Sequence, residues 1–263
     1  MSEWLIYPGV GAVAGLVAGL LGVGGGLIIV PLLAWIFRNE GMSPDLIIHM
    51  ALGTSLATIV MTSLSSVYAH HRRGAVVWPV VLRLAPGLAL GALVGAWLAW
   101  RSSSDDLATL FGLFEMGVAL YMVAGSPKPR GESWLRPHTP ELMAVGGVIG
   151  AIASLLGIGG GTLTVPYLSW RGLVIQRAVA TSAACGLPIA LAGAFGYLAA
   201  GWNQPQLPPW SSGYLYWPAF AGIVLTSLWM APLGASLAHR LPVMSLKRLF
   251  ALLLFVMGLM MVL

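Results

Sequence analysis

Residues 15–33 read GLVAGLLGVGGGLIIVPLL, and residues 150–168 read GAIASLLGIGGGTLTVPYL. At a constant offset of 135, both stretches carry three consecutive glycines and, five residues after the last glycine, a proline. Each glycine costs a helix about 1 kcal/mol relative to alanine, and proline removes a backbone donor. The pattern therefore predicts that an apolar helix is broken at the glycines and resumes as a shorter one, twice in this chain.

The composition places these breaks in a membrane. The chain is 58% hydrophobic and 8% charged, with a mean hydropathy of +0.88. A bilayer core roughly 30 Å thick needs about 20 apolar residues per helix, and we predict an all-α polytopic membrane protein. The apolar runs cover residues 5–21, 27–37, 46–69, 76–100, 107–124, 142–156, 162–170, 178–200, 214–238 and 246–263.

The likeness between the two halves extends beyond the glycines. Further matching pairs are Thr54-Ser55 with Thr181-Ser182, Trp78-Pro79 with Trp217-Pro218, and Leu110-Phe111 with Leu249-Phe250. Internal repeats of this size are typical of secondary transporters. We predict a first membrane repeat over residues 1–125, a cytoplasmic linker over 126–141 and a second membrane repeat over 142–263.

The basic residues indicate how the repeats are oriented. If the glycine-broken element crossed the membrane once, the repeats would be parallel, and the loop charges would divide five against seven. If it turns back, as a re-entrant hairpin or two short spans before three membrane-spanning helices, the repeats are inverted. One face then carries Arg72, Arg73, Lys128, Arg130, Arg136, Arg171, Arg177, Arg240, Lys247 and Arg248, and the other only Arg38 and Arg101. Because basic loops stay in the cytoplasm, we predict inverted repeats with both termini in the periplasm.

The glycine breaks are the first candidates for a binding site. A helix that restarts inside a membrane presents free N–H groups and the positive end of its dipole, which favour an anion. The predicted substrate-binding glycines are Gly24, Gly25, Gly26, Gly159, Gly160 and Gly161. The alternative is that the breaks serve only packing or hinge motion. We assign packing to the small residues at four-residue spacing, which are Gly11, Gly15, Gly19, Gly146, Gly150 and Ser154.

Hydroxyl groups near the breaks are the second set of candidates. Thr54, Ser55, Thr181 and Ser182 lie at matching positions in apolar helices, and Thr162 follows the second glycine triplet. These hydroxyls could donate hydrogen bonds to an anion, or bond to the preceding helical turn. Thr164 is a comparable candidate.

Two charges, Arg83 and Glu115, fall inside predicted spans, where an ionisable residue suggests a function. They could pair with each other. Alternatively, Arg83 could attract an anion while Glu115 carries a coupling proton, or Arg83 could extend to the basic face.

Other classes of function lack a signature. Cys185 is the single cysteine, which excludes an intrachain disulfide and a cysteine-based metal site. The sequence has no HExxH motif and no His–Asp pair, so we expect neither an enzyme nor a metal or other cofactor. The net charge of +5 is typical of cytoplasmic loops and does not indicate nucleic-acid binding.

The paired G-[VI]-G-G-G-x3-V-P motifs, each followed by a helix carrying Thr-Ser, resemble the TauE/SafE sulfite exporter family over essentially the whole chain. The resemblance implies transport of sulfite or small organosulfonates across the bacterial inner membrane. It also points to Pro31 and Pro166 beside the glycines as motif residues. We expect alternating access around a midplane site. The alternatives are a passive anion channel, or a transporter of another small carboxylate or sulfur oxyanion.

Overall fold

The protein is a bundle of helices that follow the predicted apolar runs. The computed structural model describes residues 6–21, 25–124, 139–238 and 243–263. The helices are α1 (Ile6–Leu21), α2 (Gly26–Asn39), α3 (Pro44–Arg72), α4 (Trp78–Arg101), α5 (Ser104–Ala124), α6 (Thr139–Leu155), α7 (Gly161–Trp170), α8 (Ile175–Ala200), α9 (Trp217–Ala238) and α10 (Val243–Val262). Between α8 and α9, strands β1 (Ser211–Ser212) and β2 (Leu215–Tyr216) form a short antiparallel hairpin. The prediction of an all-α membrane protein is confirmed.

The helices differ in how much of a bilayer they could cross. Within the described ranges, four are long and apolar enough to span it: α3, α4, α8, and α5 over Ser104–Val123. In contrast, α2 and α7 have 14 and 10 residues. At 1.5 Å per residue they are only about 21 and 15 Å long, and both begin at the last glycine of a triplet.

Each glycine-broken element turns back on itself. The Tyr7 hydroxyl, at the start of α1, lies 2.7 and 2.8 Å from the two carboxylate oxygens of Glu40, the residue after α2. In the second element, Glu141 in the first turn of α6 forms an ion pair with Arg171, the residue after α7. The outer ends of both helices therefore lie together in each element. We call α1–α2 hairpin 1 and α6–α7 hairpin 2, with the residues that join the outer ends at the mouth and the glycines at the tip.

Small residues set how the helices pack around the hairpins. A Cβ built on Gly11 would lie 2.4 Å from the Ile223 carbonyl oxygen, and one on Gly15 would lie 2.6 Å from Ser227 Cα. Helix α1 therefore runs parallel to α9, and the two helices are too close for a side chain at either glycine. The predicted packing role of these two glycines is confirmed.

Helices α4 and α6 repeat this arrangement. A Cβ built on Gly146 would lie 2.7 Å from the Leu84 carbonyl oxygen, and one built on Gly150 would lie 2.1 Å from the Leu88 carbonyl oxygen. Later residues of α6 contact later residues of α4, so these two helices are also parallel. Gly146 and Gly150 are packing residues, as predicted.

The two parallel pairs point in opposite directions. Helix α4 ends beside the start of α3, because the His49 ring lies 2.9 Å from the Ala99 carbonyl oxygen. The start of α3 follows the mouth of hairpin 1, so α4 begins at the other end of the molecule, where hairpin 2 has its mouth. We call these the Tyr7 end and the Glu141 end.

Helices α3 and α8 cross in the centre. Leu56 lies against Gly193, and Ser63 against Gly186, so the two helices are antiparallel. This arrangement is compatible with the predicted inverted repeats. The predicted boundaries of the repeats stay predictions. Most of the predicted linker lies outside the described residues, and α6 begins at Thr139, three residues before the predicted second repeat.

Candidate functional site

The tips of the two hairpins meet inside the bundle. A Cβ built on Gly26 would lie 2.9 Å from both the Gly157 carbonyl oxygen and Ile158 Cα. Gly26 is the first residue of α2, and Gly157 lies two residues after the end of α6. The two breaks, 135 residues apart in sequence, thus form one central region.

Backbone geometry at the tips explains the need for glycine at two positions. Gly25 has a φ of +35° and Gly157 one of +61°, both in the left-handed region that side chains disfavour. At the end of α6, the Ile158 N–H donates to the Ala153 carbonyl and the Gly157 N–H to the Ser154 carbonyl. These bonds form a Schellman cap that satisfies the last carbonyls of α6.

The predicted binding glycines occupy these tips, with one exception. Gly25 and Gly26 lie at the start of α2, while Gly160 and Gly161 lie at the start of α7. Gly159 is buried in the break between α6 and α7. Gly24 lies outside the described residues. Since a helix leaves its first N–H groups without intrahelical partners, the tips supply donors in the interior.

Three of the predicted hydroxyls bond to the backbone of the opposite half. The Tyr216 N–H donates to Thr54 Oγ1 at 3.0 Å, and the Val77 N–H donates to Thr181 Oγ1 at 3.1 Å. Tyr216 and Val77 immediately precede α9 and α4, so each threonine supports the start of a helix.

The Ser55 hydroxyl donates to the Gly157 carbonyl oxygen at 2.7 Å. It therefore ties α3 to the tip of hairpin 2. These contacts hold the hairpins in position, whereas ligand contact by Thr54, Ser55 and Thr181 stays a prediction.

The remaining hydroxyls are buried and have no hydrogen-bond partner among the described residues. They are Thr162 and Thr164 on α7 and Ser182 on α8. Thr164 is fully buried and Ser182 is 1% exposed. A buried hydroxyl without a partner costs about 1–3 kcal/mol, so these groups are available to a ligand.

The two predicted intramembrane charges do not pair. Arg83 is exposed on α4, whereas Glu115 is completely buried on α5 and neither carboxylate oxygen has a hydrogen-bond partner among the described residues. The interpretation of Arg83 and Glu115 as a mutual ion pair is wrong, because each faces a different environment. Glu115 packs beside Gly258 of α10, where a built Cβ would lie 3.1 Å from the Glu115 Cβ.

A cavity of about 330 Å³ opens at the Tyr7 end. Its lining includes Glu40 and Ser43 after α2, Met50 on α3, and Gln206 in the segment before β1. The Ser43 hydroxyl lies 3.3 Å from the Gln206 side-chain oxygen. Sequence reasoning did not identify this lining, because it joins segments far apart in the chain. The signal that was available is the Trp- and Pro-rich stretch 201–217, whose Trp202 and Trp210 are exposed, as expected of an interfacial belt.

No cluster of three or more metal-ligating side chains occurs in the part of the chain that the structure describes. Cys185 is buried as a free thiol. The polar groups described in the central region are backbone N–H groups at the helix starts and buried hydroxyls, and groups of this kind can donate hydrogen bonds to a small anion.

Comparison with known proteins gives matches over nearly the full length. Residues 7–261 match the sequence model of the family described as Sulfite exporter TauE/SafE. A probable membrane transporter protein of Haemophilus influenzae is 40% identical over 250 residues, 95% of this chain and 94% of that protein. A probable membrane transporter protein of Methanocaldococcus jannaschii is 27% identical over 255 residues, 97% of this chain and 93% of that protein. A probable membrane transporter protein of Bacillus subtilis is 30% identical over 198 residues, covering 68% and 72%.

Proposed function

The chain belongs to the sulfite exporter TauE/SafE family and is a membrane transporter, and we propose that it moves small anions by secondary transport. Sulfite and small organosulfonates are the proposed substrates, and the bacterial cytoplasmic membrane is the proposed location. The observation that carries this proposal is the meeting of the two hairpin tips, Gly26 against Gly157. Two helix N-termini in a dry interior favour a negative charge.

The hairpins suit alternating access. Their mouths lie at opposite ends, with Tyr7 and Glu40 at one and Glu141 and Arg171 at the other. A substrate at the tips is therefore separated from each end by one hairpin. The cavity at the Tyr7 end reaches Tyr216, whose N–H bonds Thr54, and we assign it as the outer vestibule.

An anion-flux assay in proteoliposomes tests the role of the tips. Gly25→Leu and Gly160→Leu should reduce sulfite flux strongly, because a Cβ on Gly160 would already lie 2.9 Å from Ile189 Cδ1 and Gly25 has a positive φ. Gly117→Leu is the matched control, since a Cβ at Gly117 meets nothing within 4 Å. Normal flux in folded Gly25→Leu and Gly160→Leu protein would remove the tips from the mechanism. Flux that does not saturate with concentration would identify a channel instead of a transporter.

We assign the coupling proton to Glu115. An ionised carboxylate costs several kcal/mol when buried without a partner, so Glu115 in this position is protonated and can exchange its proton only when the bundle opens. Charged and titratable residues on the helices that pack around it lie towards the helix ends. They are Asp105, Asp106 and Tyr121 on α5, Lys247 and Arg248 on α10, and Asp45, His49, Tyr68, His70, His71 and Arg72 on α3.

The test compares downhill and proton-driven transport in Glu115→Gln protein. Glutamine keeps the shape of the side chain but cannot release a proton. Anion accumulation driven by a pH gradient should disappear, while downhill exchange continues. Unchanged accumulation would show that Glu115 does not couple protons. Arg83 is exposed near the Glu141 end, where it would attract anions; Arg83→Gln should then lower the apparent affinity for the anion on that side.

The proposed orientation places the Glu141 end in the cytoplasm, with the linker 126–141, and both termini in the periplasm. A single cysteine at Arg72 should be shielded from an outside reagent in intact cells, and one at Gln204 should react. The reverse labelling would contradict this orientation.

A further inference from the structure

The first turns of α2 and α7 occupy equivalent places but differ in polarity. In α2, Leu27 and Ile29 are each 2% exposed and fill the space at the tip. The residues at the same offset in α7 are Thr162 and Thr164. The side chain four residues on lies at the same distance in both: a Cβ on Gly25 would lie 3.2 Å from Ile29 Cδ1, and one on Gly160 would lie 3.2 Å from Thr164 Oγ1. A methyl group at one tip is therefore replaced by a hydroxyl at the other.

The neighbouring long helices show the same difference. Ile59 of α3 lies against the start of α2, with its Cδ1 3.2 Å from a Cβ built on Gly26. Its counterpart at the offset of Thr54 and Thr181 is Gly186 of α8, which lies against the start of α7. A Cβ on Gly186 would lie 3.2 Å from Ser63 Oγ and 3.7 Å from the Gly160 nitrogen.

Ser63 belongs to α3 and reaches the second tip from the opposite half of the chain. Its side chain is 9% exposed, and its counterpart at the same offset, Ala190, is fully buried and apolar. Thr162, Thr164 and Ser63 thus each have an apolar counterpart. Where Ile59 places a side chain against hairpin 1, Gly186 places none against hairpin 2.

We propose that the anion binds at the start of α7 alone, beside Gly186, and that Thr164 and Ser63 donate hydrogen bonds to it. This inference rests on the proposed anion transport and replaces a symmetric clamp with one asymmetric subsite. Thr164 is fully buried and has no partner among the described residues, so its hydroxyl is available at the point where the α7 N–H groups begin. The groups that would donate are hydroxyls on α3 and α7 and the first N–H groups of the α7 backbone.

Such a donor set favours a small anion with several acceptor oxygens on one head group. The hydroxyls of α3 and α7 and the N–H groups of the α7 backbone approach from different directions. A head group with three oxygens can accept hydrogen bonds from all of them. A carboxylate offers only two oxygens. Sulfite and methanesulfonate should therefore bind more tightly than acetate.

The test measures anion binding to the purified full-length protein by calorimetry, with sulfite, methanesulfonate and acetate as probes. Thr164→Val keeps the shape of the side chain, and it should weaken sulfite binding roughly tenfold to a hundredfold, as expected for a lost hydrogen bond to a charged group. Ile29→Val at the equivalent position in hairpin 1 is the matched control and should change binding less than about twofold. Ser63→Ala, on another helix, should weaken binding in the same direction and gives an independent measurement if Thr164→Val does not fold.

The outcomes separate this subsite from the proposed function. Wild-type affinity in both Thr164→Val and Ser63→Ala would overturn the subsite while leaving anion transport intact. Equal losses in Ile29→Val and Thr164→Val would restore the symmetric clamp. Absence of anion binding and flux in the wild-type protein would overturn both proposals.

Discussion

Hairpin 1 and hairpin 2 have the same backbone plan and opposite interiors. Each hairpin enters the bundle as one helix, breaks at glycines and returns as a short second helix. A side-chain contact joins the end of the second helix to the start of the first. Hairpin 1 returns through buried aliphatic residues such as Leu27 and Ile29, whereas hairpin 2 returns through Thr162 and Thr164. The duplicated elements place two helix N-termini in the centre, and a few side chains decide which one carries hydroxyl groups.

The largest effect should come from making hairpin 2 resemble hairpin 1. Gly186→Ile copies the residue found at the equivalent position, Ile59, and places a side chain against Ser63, whose Oγ would lie 3.2 Å from the new Cβ. We expect sulfite flux in proteoliposomes to fall to background while the protein stays folded. Ile59→Val, which only shortens a side chain, is the control and should cost about 0.5–1.5 kcal/mol of stability without loss of flux. Normal flux in Gly186→Ile would contradict the asymmetry between the hairpins.

A smaller effect is expected for a pair of hydrogen bonds that the two halves share. Thr54→Val and Thr181→Val each leave a backbone N–H, of Tyr216 or Val77, without its acceptor. Each variant should lose about 1–3 kcal/mol of unfolding free energy, measured by denaturant titration in detergent. Thr62→Val removes only a local bond to the Ile59 carbonyl and should change stability less. Unequal losses in the two main variants would show that the halves differ here as well.

The two mouths should differ from each other, and the smallest effect of all should come from the ion pair at Glu141. Tyr7→Phe removes a hydrogen bond to a half-buried carboxylate, a type worth about 1.5–3 kcal/mol. Glu141→Gln removes an ion pair whose side chains are 19% and 47% exposed, and such pairs contribute about 0–1 kcal/mol. The thermal midpoint should therefore fall more for Tyr7→Phe. Raising the salt concentration should reduce only the Glu141→Gln difference; salt sensitivity at Tyr7 would mean that the two mouths act alike.

Much of the fold follows from local patterns. Glycine triplets disfavour a continuous helix, because each glycine costs about 1 kcal/mol relative to alanine, and α2 and α7 begin at Gly26 and Gly161 as the patterns indicate. Charge counting favours an element that turns back, and the contacts at Tyr7 and Glu141 are compatible with it. Helix periodicity, however, could not tell that Thr54 and Thr181 accept backbone N–H groups from the opposite half. Those bonds depend on residues more than 100 positions away.

The candidate site was less accessible to sequence reasoning. Thr162 and Thr164 stood out beside the second triplet, but Ser63 carried no signal, because its environment depends on how α3 crosses α8. Arg83 and Glu115 could have paired on sequence grounds, and only the packing of α5 against α10 separates them.

The sequence by itself determined that the chain is a polytopic helical membrane protein with two glycine breaks, because hydropathy and glycine content act locally. The tertiary structure alone decided that the two tips meet, that Thr54, Ser55 and Thr181 bond to the backbone, and that Ser63 of α3 lies beside Gly186 of α8. These properties arise from contacts between helices distant in sequence, where one added methyl group determines whether two backbones can touch.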